Sequence, residues 1–293
     1  MRVTEQMRYD GVSNNLSQLS ARQAKAAQES QTGLRVNLPS DDPIAAAELA
    51  RLKASQSQIS ARRGTVSAVR GDAELSESSL QQASDLLATA KDLAMQGANG
   101  ALGAPERATL AKQVKDIKDQ LVGVANTQGT TGYLFAGSAT QTRPFDNSGA
   151  FFGNDEDHVV DIGNSTPTAV NASGSKAFTA AGGGRDVFAD LDALYTALNS
   201  NDTTGISATL SNLDASRSQI TNAQAAVGIT INKLDASDSV LSALDLQAST
   251  RKDEVGAADP AKSYATLVQL NNSLQQSVAV SKSILDLAAF KQF

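Results

Sequence analysis

The side chains that could perform chemistry in this sequence are few, and their spacing does not suit catalysis. His158 is the only histidine and there is no cysteine, so the residues for a zinc site or a His-dependent catalytic triad are missing. The acidic run at 154–157 lacks the ligand spacing and central glycine of an EF-hand calcium loop. The glycines at 182–184 are not followed by Lys-Ser or Lys-Thr, so they do not form a P-loop. We predict that the protein is not an enzyme and that it has no metal or cofactor.

Two aspartates that precede prolines are predicted to cap helices. Asp42 and Asp259 each stand before a proline, which keeps the Asp backbone extended and fits the first helical position. Helices are therefore expected to begin at Pro43 and Pro260. Gly33 suits the left-handed position that ends a preceding helix.

Composition points to long helices in a chain of two or three domains. The 293 residues include no Trp, and aromatic residues make up 4% of the chain, whereas compact cores depend on aromatics for much of their buried area. The net charge of -6 argues against binding to a nucleic-acid backbone. The first ten residues lack the apolar core of a cleaved signal peptide, and no run approaches the ~20 apolar residues of a membrane span. We expect no membrane insertion.

The stretch from 206 to 248 is expected to organise the fold. Its apolar residues recur at alternating strides of four and three, an average of 3.5 that is typical of a coiled-coil seam. These positions are Ile206, Leu210, Leu213, Ile220, Val227, Ile231, Leu234, Leu241 and Ala248. Four polar residues share the seam: Arg217, Gln224, Asp238 and Asp245. They either fix the register against a partner helix or mark where the seam turns toward solvent.

Other segments also have helical patterns. Helices are predicted at 44–97, at 105–124, at 187–198 and from 260 to the C-terminus, and fraying is expected at 250–258. Residues 3 to about 31 are weakly helical, because their Gly and Asn residues lower the helix propensity. This first segment is either a frayed helix or a segment that becomes ordered only on assembly.

Residues 133–186 differ from the rest, because short apolar runs alternate with Gly, Asn, Ser, Thr and Pro. This pattern predicts a small β-rich insertion. Five of the eight phenylalanines are expected to form its core: Phe135, Phe145, Phe151, Phe152 and Phe178. The predicted fold is mainly α, a long antiparallel coiled-coil helix bundle with this β-rich insertion.

Three parts are expected along the chain. Residues 1–42, an N-terminal helix and loop, pair with the C-terminal helix at 259–293. Residues 43–132 and 187–258 form a helical rod, and residues 133–186 form the insertion. The final helix is apolar on more than one face, which indicates an interaction site.

Both ends of the chain are thus amphipathic, as expected for a subunit that polymerises through helices left incomplete in the monomer. The predicted assembly interface comprises Val3, Met7, Leu16, Leu19, Leu267, Leu274, Val278, Ile284, Leu285, Leu287 and Phe290.

Several short motifs resemble the flagellin superfamily. The runs at 1–4, 31–36 and 39–43 are similar to its N-terminal signature, and the run at 281–287 is similar to its end helix. The runs at 133–137 and 143–145 resemble the start of the variable domain in the branch that forms the hook–filament junction. Together these resemblances cover about half of the chain. In this sequence, the signature loop of the superfamily would contain Thr32, Gly33, Arg35, Asp41, Asp42 and Pro43.

The resemblance implies a structural component of the bacterial flagellum that lies outside the cell and is exported unfolded by the flagellar type III pathway. The implied partners are hook-associated protein 1, flagellin, copies of the chain itself in a ring, and a cytoplasmic chaperone at the C-terminal helix. Flagellin would polymerise on this adaptor. The resemblance also places the export signal near the N-terminus, around residues 3–19.

Two alternatives of different kinds remain. The chain could be a flagellin, although the small insertion and the motifs at 133–145 favour the junction branch. It could instead be a cytosolic coiled-coil scaffold, which predicts ordered ends in the monomer and does not explain why family-like motifs lie at both ends.

Overall fold

The protein is mainly helical, as predicted. The computed structural model describes residues 2–162 and 168–290, without the side chains of 2–5, 8, 182 and 284–290. The helices are α1 Arg2–Thr32, α2 Pro43–Gly97, α3 Ala104–Ala125, α4 Gly174–Phe178, α5 Val187–Asn199, α6 Thr203–Gly256 and α7 Pro260–Phe290. The strands are β1 Val159–Val160 and β2 Thr168–Ala169.

The helix starts and stops that the sequence predicts are present. Asp42 Oδ1 accepts a hydrogen bond from Ala45 N at 3.0 Å, and Asp259 Oδ1 accepts one from Lys262 N at 3.1 Å. Each carboxylate thereby satisfies a free N–H group in the first turn of its helix. Gly33 has a φ of 67° and so ends α1 in the left-handed conformation.

Helix α6 does not fray after Ala248 as expected but continues to Gly256. The reason is that its last carbonyl groups have partners. Val255 O accepts a hydrogen bond from Arg35 Nη2 at 2.8 Å, and Gly256 O accepts one from Arg35 N at 2.8 Å. A helix end whose carbonyls are paired in this way resists unwinding.

The chain divides into two compact units. One contains residues up to 58 together with those from 244 onward, and the other contains residues 59–243. In the first unit α1 packs against α7. The pair is antiparallel, because Leu34 pairs with Ala257 while Gln23 donates a hydrogen bond to Asn271.

In the second unit the predicted seams are the core. Both α2 and α6 bury every seventh residue across this unit. The buried columns are Ile59, Val66, Ala73, Leu80, Leu87 and Ala94 in α2, and Ile206, Leu213, Ile220, Val227, Leu234 and Leu241 in α6.

Three of the four polar seam residues contact α2. Arg217 Nε donates to Ser84 Oγ at 3.2 Å, Gln224 Nε2 donates to Gln81 Oε1 at 3.2 Å, and Asp238 accepts from Arg63 Nε at 2.9 Å. As residue numbers rise along α6, those of its partners fall along α2, so the two helices are antiparallel. These contacts favour the interpretation that polar residues fix the register.

The segment between α3 and α5 contains less β structure than expected. Its described strands are two residues long each and pair antiparallel, Val159 with Ala169. The remainder of the described segment is mostly turns and irregular backbone. Short hydrogen-bonded turns satisfy its backbone, so the alternation of apolar and turn residues produced loops rather than long strands.

Three of the predicted phenylalanines, Phe135, Phe145 and Phe178, are fully buried. The ring of Phe178 lies 5.3 Å from Phe135 and 5.6 Å from Phe145, both in edge-to-face geometry. Phe188 of α5 completes the cluster at 5.3 Å from Phe145. The inclusion of Phe152 was wrong, since its side chain is 61% exposed.

A buried arginine connects three helix ends in the second unit. Arg107 is 3% exposed. Its Nε donates to Gly97 O at 2.7 Å, at the end of α2, and its Nη2 donates to Asn99 O at 2.8 Å. Its Nη1 donates to Asn201 Oδ1, in the turn between α5 and α6. A guanidinium suits this position because its several N–H donors spread in a fixed plane.

Candidate assembly surface and signature loop

The predicted assembly residues fall into three groups. Leu16, Leu19, Leu267 and Leu274 are half-buried on α1 and α7, the two helices that pack together. Met7 and Val278 are 68% and 53% exposed. The side chains of the other predicted residues lie outside those described: Val3, Ile284, Leu285, Leu287 and Phe290.

The same two helices expose further large apolar side chains. Tyr9, Tyr264, Val268 and Val280 are exposed. The sequence indicated that the last helix is apolar on more than one face and that Val280 contributes to this surface, but it did not single out Tyr9, Tyr264 or Val268. The signal that could have identified them is the breadth of apolar residues around the helix, which a single heptad column does not capture. Exposed apolar surface of this kind is typical of an interaction site.

The signature loop, residues 32–43, is a compact hydrogen-bonded structure. Leu34 N donates to the hydroxyl of Thr32 at 3.2 Å, and Gly33 N donates to Glu29 O at 2.9 Å. The loop then runs antiparallel to the chain that links α6 to α7, where Ala258 N donates to Gly33 O at 2.9 Å. The end of α1 is thus joined by backbone contacts to the start of α7.

Arg35 connects three segments. Its Nη1 lies 3.0 Å from Asp42 Oδ2 at the start of α2, while its Nη2 and its backbone N–H reach the last carbonyls of α6. The positive charge of the Arg35 guanidinium is stabilised beside these carbonyls, because the C-terminus of a helix carries partial negative charge. Arg35 therefore positions both long helices relative to the loop.

The carboxylate of Asp41 connects the backbone of the loop to α1. Its Oδ2 accepts from Asn37 N at 3.1 Å and from Leu38 N at 2.9 Å, while its Oδ1 lies 2.9 Å from Lys25 Nζ. The hydrogen bond from Lys25, followed by those from the backbone, lowers the pKa of Asp41, and the same contact raises the pKa of Lys25.

The pKa of Asp42 is also lowered, but the main cause is different. Its cap on Ala45 N, followed by its hydrogen bond with Arg35, lowers the pKa of this carboxyl. Both acids of the loop thus favour the ionised state and act as acceptors for structural contacts. Within the described parts of the chain no group of three or more His, Asp or Glu residues could hold a metal ion.

The acidic run at 154–157 is also occupied by structural contacts. Asp155 Oδ1 accepts from the hydroxyls of Ser175 and Ser173, each at 2.7 Å, and these bonds lower the pKa of Asp155. Glu156 accepts from Ser138 Oγ at 2.8 Å. His158 lies outside regular structure, where its N–H donates to Asn171 Oδ1 and its carbonyl accepts from Val170 N.

Among the described helices, none combines the length and the apolar character needed to cross a membrane.

Comparison with known proteins places this chain beside flagellar proteins. Residues 3–140 match the family model described as the bacterial flagellin N-terminal helical region. The chain is 32% identical to flagellar hook-associated protein 3 of Salmonella typhimurium over 180 residues, a match that covers 61% of this chain and 57% of that protein. It is 26% identical to flagellar hook-associated protein 3 of Escherichia coli over 314 aligned positions, with 99% of both chains covered.

A solved structure supports the fold. A flagellar hook-associated protein from Vibrio parahaemolyticus aligns with a TM-score of 0.68 at 24% identity, covering 74% of this chain and 100% of that one. The likeness to this structure concerns the arrangement of the helices.

Proposed function

Because this chain belongs to the flagellin superfamily, we propose that it is a structural adaptor at the junction between the flagellar hook and the filament, on which flagellin polymerises. The observation that carries the proposal is the end-to-end similarity to the hook-associated protein 3 of Escherichia coli. A flagellin would share the terminal regions but would not be expected to align over both full lengths with a junction protein.

The paired terminal helices are the proposed assembly surface. Their inward apolar residues are half-buried, and their outward ones, such as Met7, Tyr264 and Val278, are exposed. A subunit whose neighbours cover these residues gains roughly 25 cal/mol for each Å² of apolar surface removed from water. The gain offsets the entropy lost when a subunit joins the structure.

The three parts expected from the sequence would each serve this role. Residues 1–42 and 259–293 would interlock with neighbouring subunits, the coiled-coil helices of 43–132 and 187–258 would form the rod, and the inserted segment at 133–186 would lie at its side. The proposed partners are hook-associated protein 1, flagellin and further copies of the chain in a ring. The protein would be extracellular after export by the flagellar pathway, and a cytoplasmic chaperone would hold the α7 helix beforehand.

A gene deletion tests the role directly. We expect cells with hooks but without filaments, and unpolymerised flagellin in the medium. Intact filaments would contradict a junction role. If the purified protein itself polymerised into long filaments, it would be a flagellin.

A point variant tests the surface. Val278→Asp places a charge on a side chain that is 53% exposed, so the isolated subunit should fold normally while burial of the charge against a neighbour is costly. We expect the plasmid-borne variant to leave the deletion strain without filaments. Gln276→Asp introduces the same charge at another exposed position of α7 and should restore them. Normal filaments with Val278→Asp would show that this side chain does not meet a partner.

A further inference from the structure

The turn between α2 and α3 contains the one Asn-Gly pair of the sequence, Asn99 followed by Gly100. Both residues are exposed and lie outside the helices. A Cβ added at Gly100 would meet nothing within 4 Å. Water therefore reaches the turn that contains this pair, and the space beside the Gly100 Cα is open.

We propose that Asn99 is a site of spontaneous deamidation through a succinimide formed with Gly100. In this reaction the backbone nitrogen of Gly100 attacks Cγ of Asn99 and loses its proton to water. The bond between Cγ and the side-chain nitrogen then breaks, and ammonia leaves. Water next opens the five-membered ring at either carbonyl, so the products are aspartate or isoaspartate at position 99. The net change is the addition of one water and the release of one ammonia.

The geometry of the turn favours the attack. Asn99 Oδ1 accepts a hydrogen bond from Ala101 N at 3.1 Å, so the side-chain carbonyl is folded back over the peptide that follows it. This N–H group polarises Cγ and is placed to stabilise the negative charge that develops on Oδ1 during the attack. The absence of a side chain at Gly100 removes the steric hindrance to ring closure that other residues impose.

The modification would act on the buried arginine. The backbone carbonyl of Asn99 accepts from Arg107 Nη2 at 2.8 Å and from Leu102 N at 3.1 Å. An aspartate at position 99 leaves this carbonyl in place. An isoaspartate routes the backbone through Cβ and Cγ, which lengthens the chain between residues 99 and 100 by one methylene group. The former backbone carbonyl becomes a free α-carboxylate outside the main chain, so the turn that positions this group against Arg107 and Leu102 has to rearrange.

The chain contains an internal comparison. Asn147 also lies in an exposed turn, but it is followed by Ser148, whose side chain hinders ring closure. Its Oδ1 accepts from Arg143 Nη2 at 3.1 Å rather than from a backbone N–H group of its own turn. Asn147 should therefore react more slowly than Asn99.

The test is to incubate the full-length protein at mildly alkaline pH and follow its peptides by mass spectrometry. We expect the peptide with Asn99 to acquire, several-fold faster than the peptide with Asn147, the mass change that replaces an amide NH₂ by OH. Gly100→Ala should slow this change without loss of folding, because the space for the methyl group is empty. Equal rates for the two peptides, or an unchanged rate in Gly100→Ala, would overturn the proposal.

A second measurement separates the two products. The variant Asn99→Asp carries the aspartate product alone and should melt close to the unmodified protein. Aged protein, enriched in isoaspartate at position 99, should melt at a lower temperature than Asn99→Asp. If the aged protein contains isoaspartate there and melts with the variant, the inferred effect on Arg107 is wrong.

Discussion

Replacing Arg107 tests how strongly a single side chain holds three helix ends together. In Arg107→Met the apolar stem is largely retained, but Gly97 O, Asn99 O and Asn201 Oδ1 all lose a donor. Hydrogen bonds to a charged group contribute about 1.5–3 kcal/mol each, and the cost is greatest where the acceptor is left buried. Only the bond to Gly97 O is fully buried, and water can replace the others. We therefore expect a loss of about 3 kcal/mol in the free energy of unfolding.

Urea denaturation followed by circular dichroism measures this loss. With a slope of about 1–3 kcal/mol per molar urea, the midpoint should fall by at least about 1 M. The matched control is Arg143→Met. Arg143 is exposed and donates to Asn147, so its loss should change stability by no more than about 0.5 kcal/mol. If Arg107→Met unfolded at the same urea concentration as Arg143→Met, the role assigned to the buried guanidinium would be refuted.

Three further predictions concern stability, each measured by urea denaturation. Gly33→Ala should lower the free energy of unfolding by about 1 kcal/mol or more, because φ is positive at this position. Its control, Gly11→Ala, lies in open space within α1 and should raise it by up to about 1 kcal/mol. Equal effects of the two changes would contradict the left-handed cap. Phe178→Ala should lower the free energy of unfolding by about 3–5 kcal/mol. Phe152→Ala, at an exposed position, should lower it by about 0.5 kcal/mol at most. Similar losses would show that the aromatic cluster is not a core. Asp41 has a lowered pKa in the folded state, so its contribution is present above the unfolded value of about 3.9 and is lost as pH falls through the folded pKa. Asp41→Asn should thus flatten the acid dependence, and an unchanged profile would refute this assignment.

The seams of α2 and α6 and both Asp-Pro caps could be predicted from the sequence, because they depend on local periodicity and local backbone chemistry. Leu234, for example, occupies a heptad position, and such a position is buried when a partner helix packs alongside. The Arg107 connection could not be predicted in this way. Its acceptors are brought near by the packing of three helices, and nothing at position 107 distinguishes it from other arginines on helix surfaces.

The inserted segment shows the same limit. Phe135 and Phe145 could be assigned to a core from their apolar surroundings, but Phe188 belongs to a neighbouring helix and joins them only through tertiary packing. The strands were overestimated because β propensity describes how a residue suits a pleated surface and does not determine whether a partner strand is present. In the signature loop, the Asp42 cap was foreseen, whereas the contact of Arg35 with the end of α6 spans 220 positions and leaves no local pattern.

The antiparallel pairing of α2 with α6 has a consequence for the order in which the chain can fold. Lys91 meets Asp214 across 123 positions of sequence, and Arg63 meets Asp238 across 175. Because the chain is synthesised from its N-terminus, the apolar column of α2 is exposed before the residues of α6 that cover it have been made. Contacts of such large sequence separation form slowly, because a large loop must close before they can be made. The delay keeps an incomplete chain open, without its long-range contacts, until α6 has been synthesised.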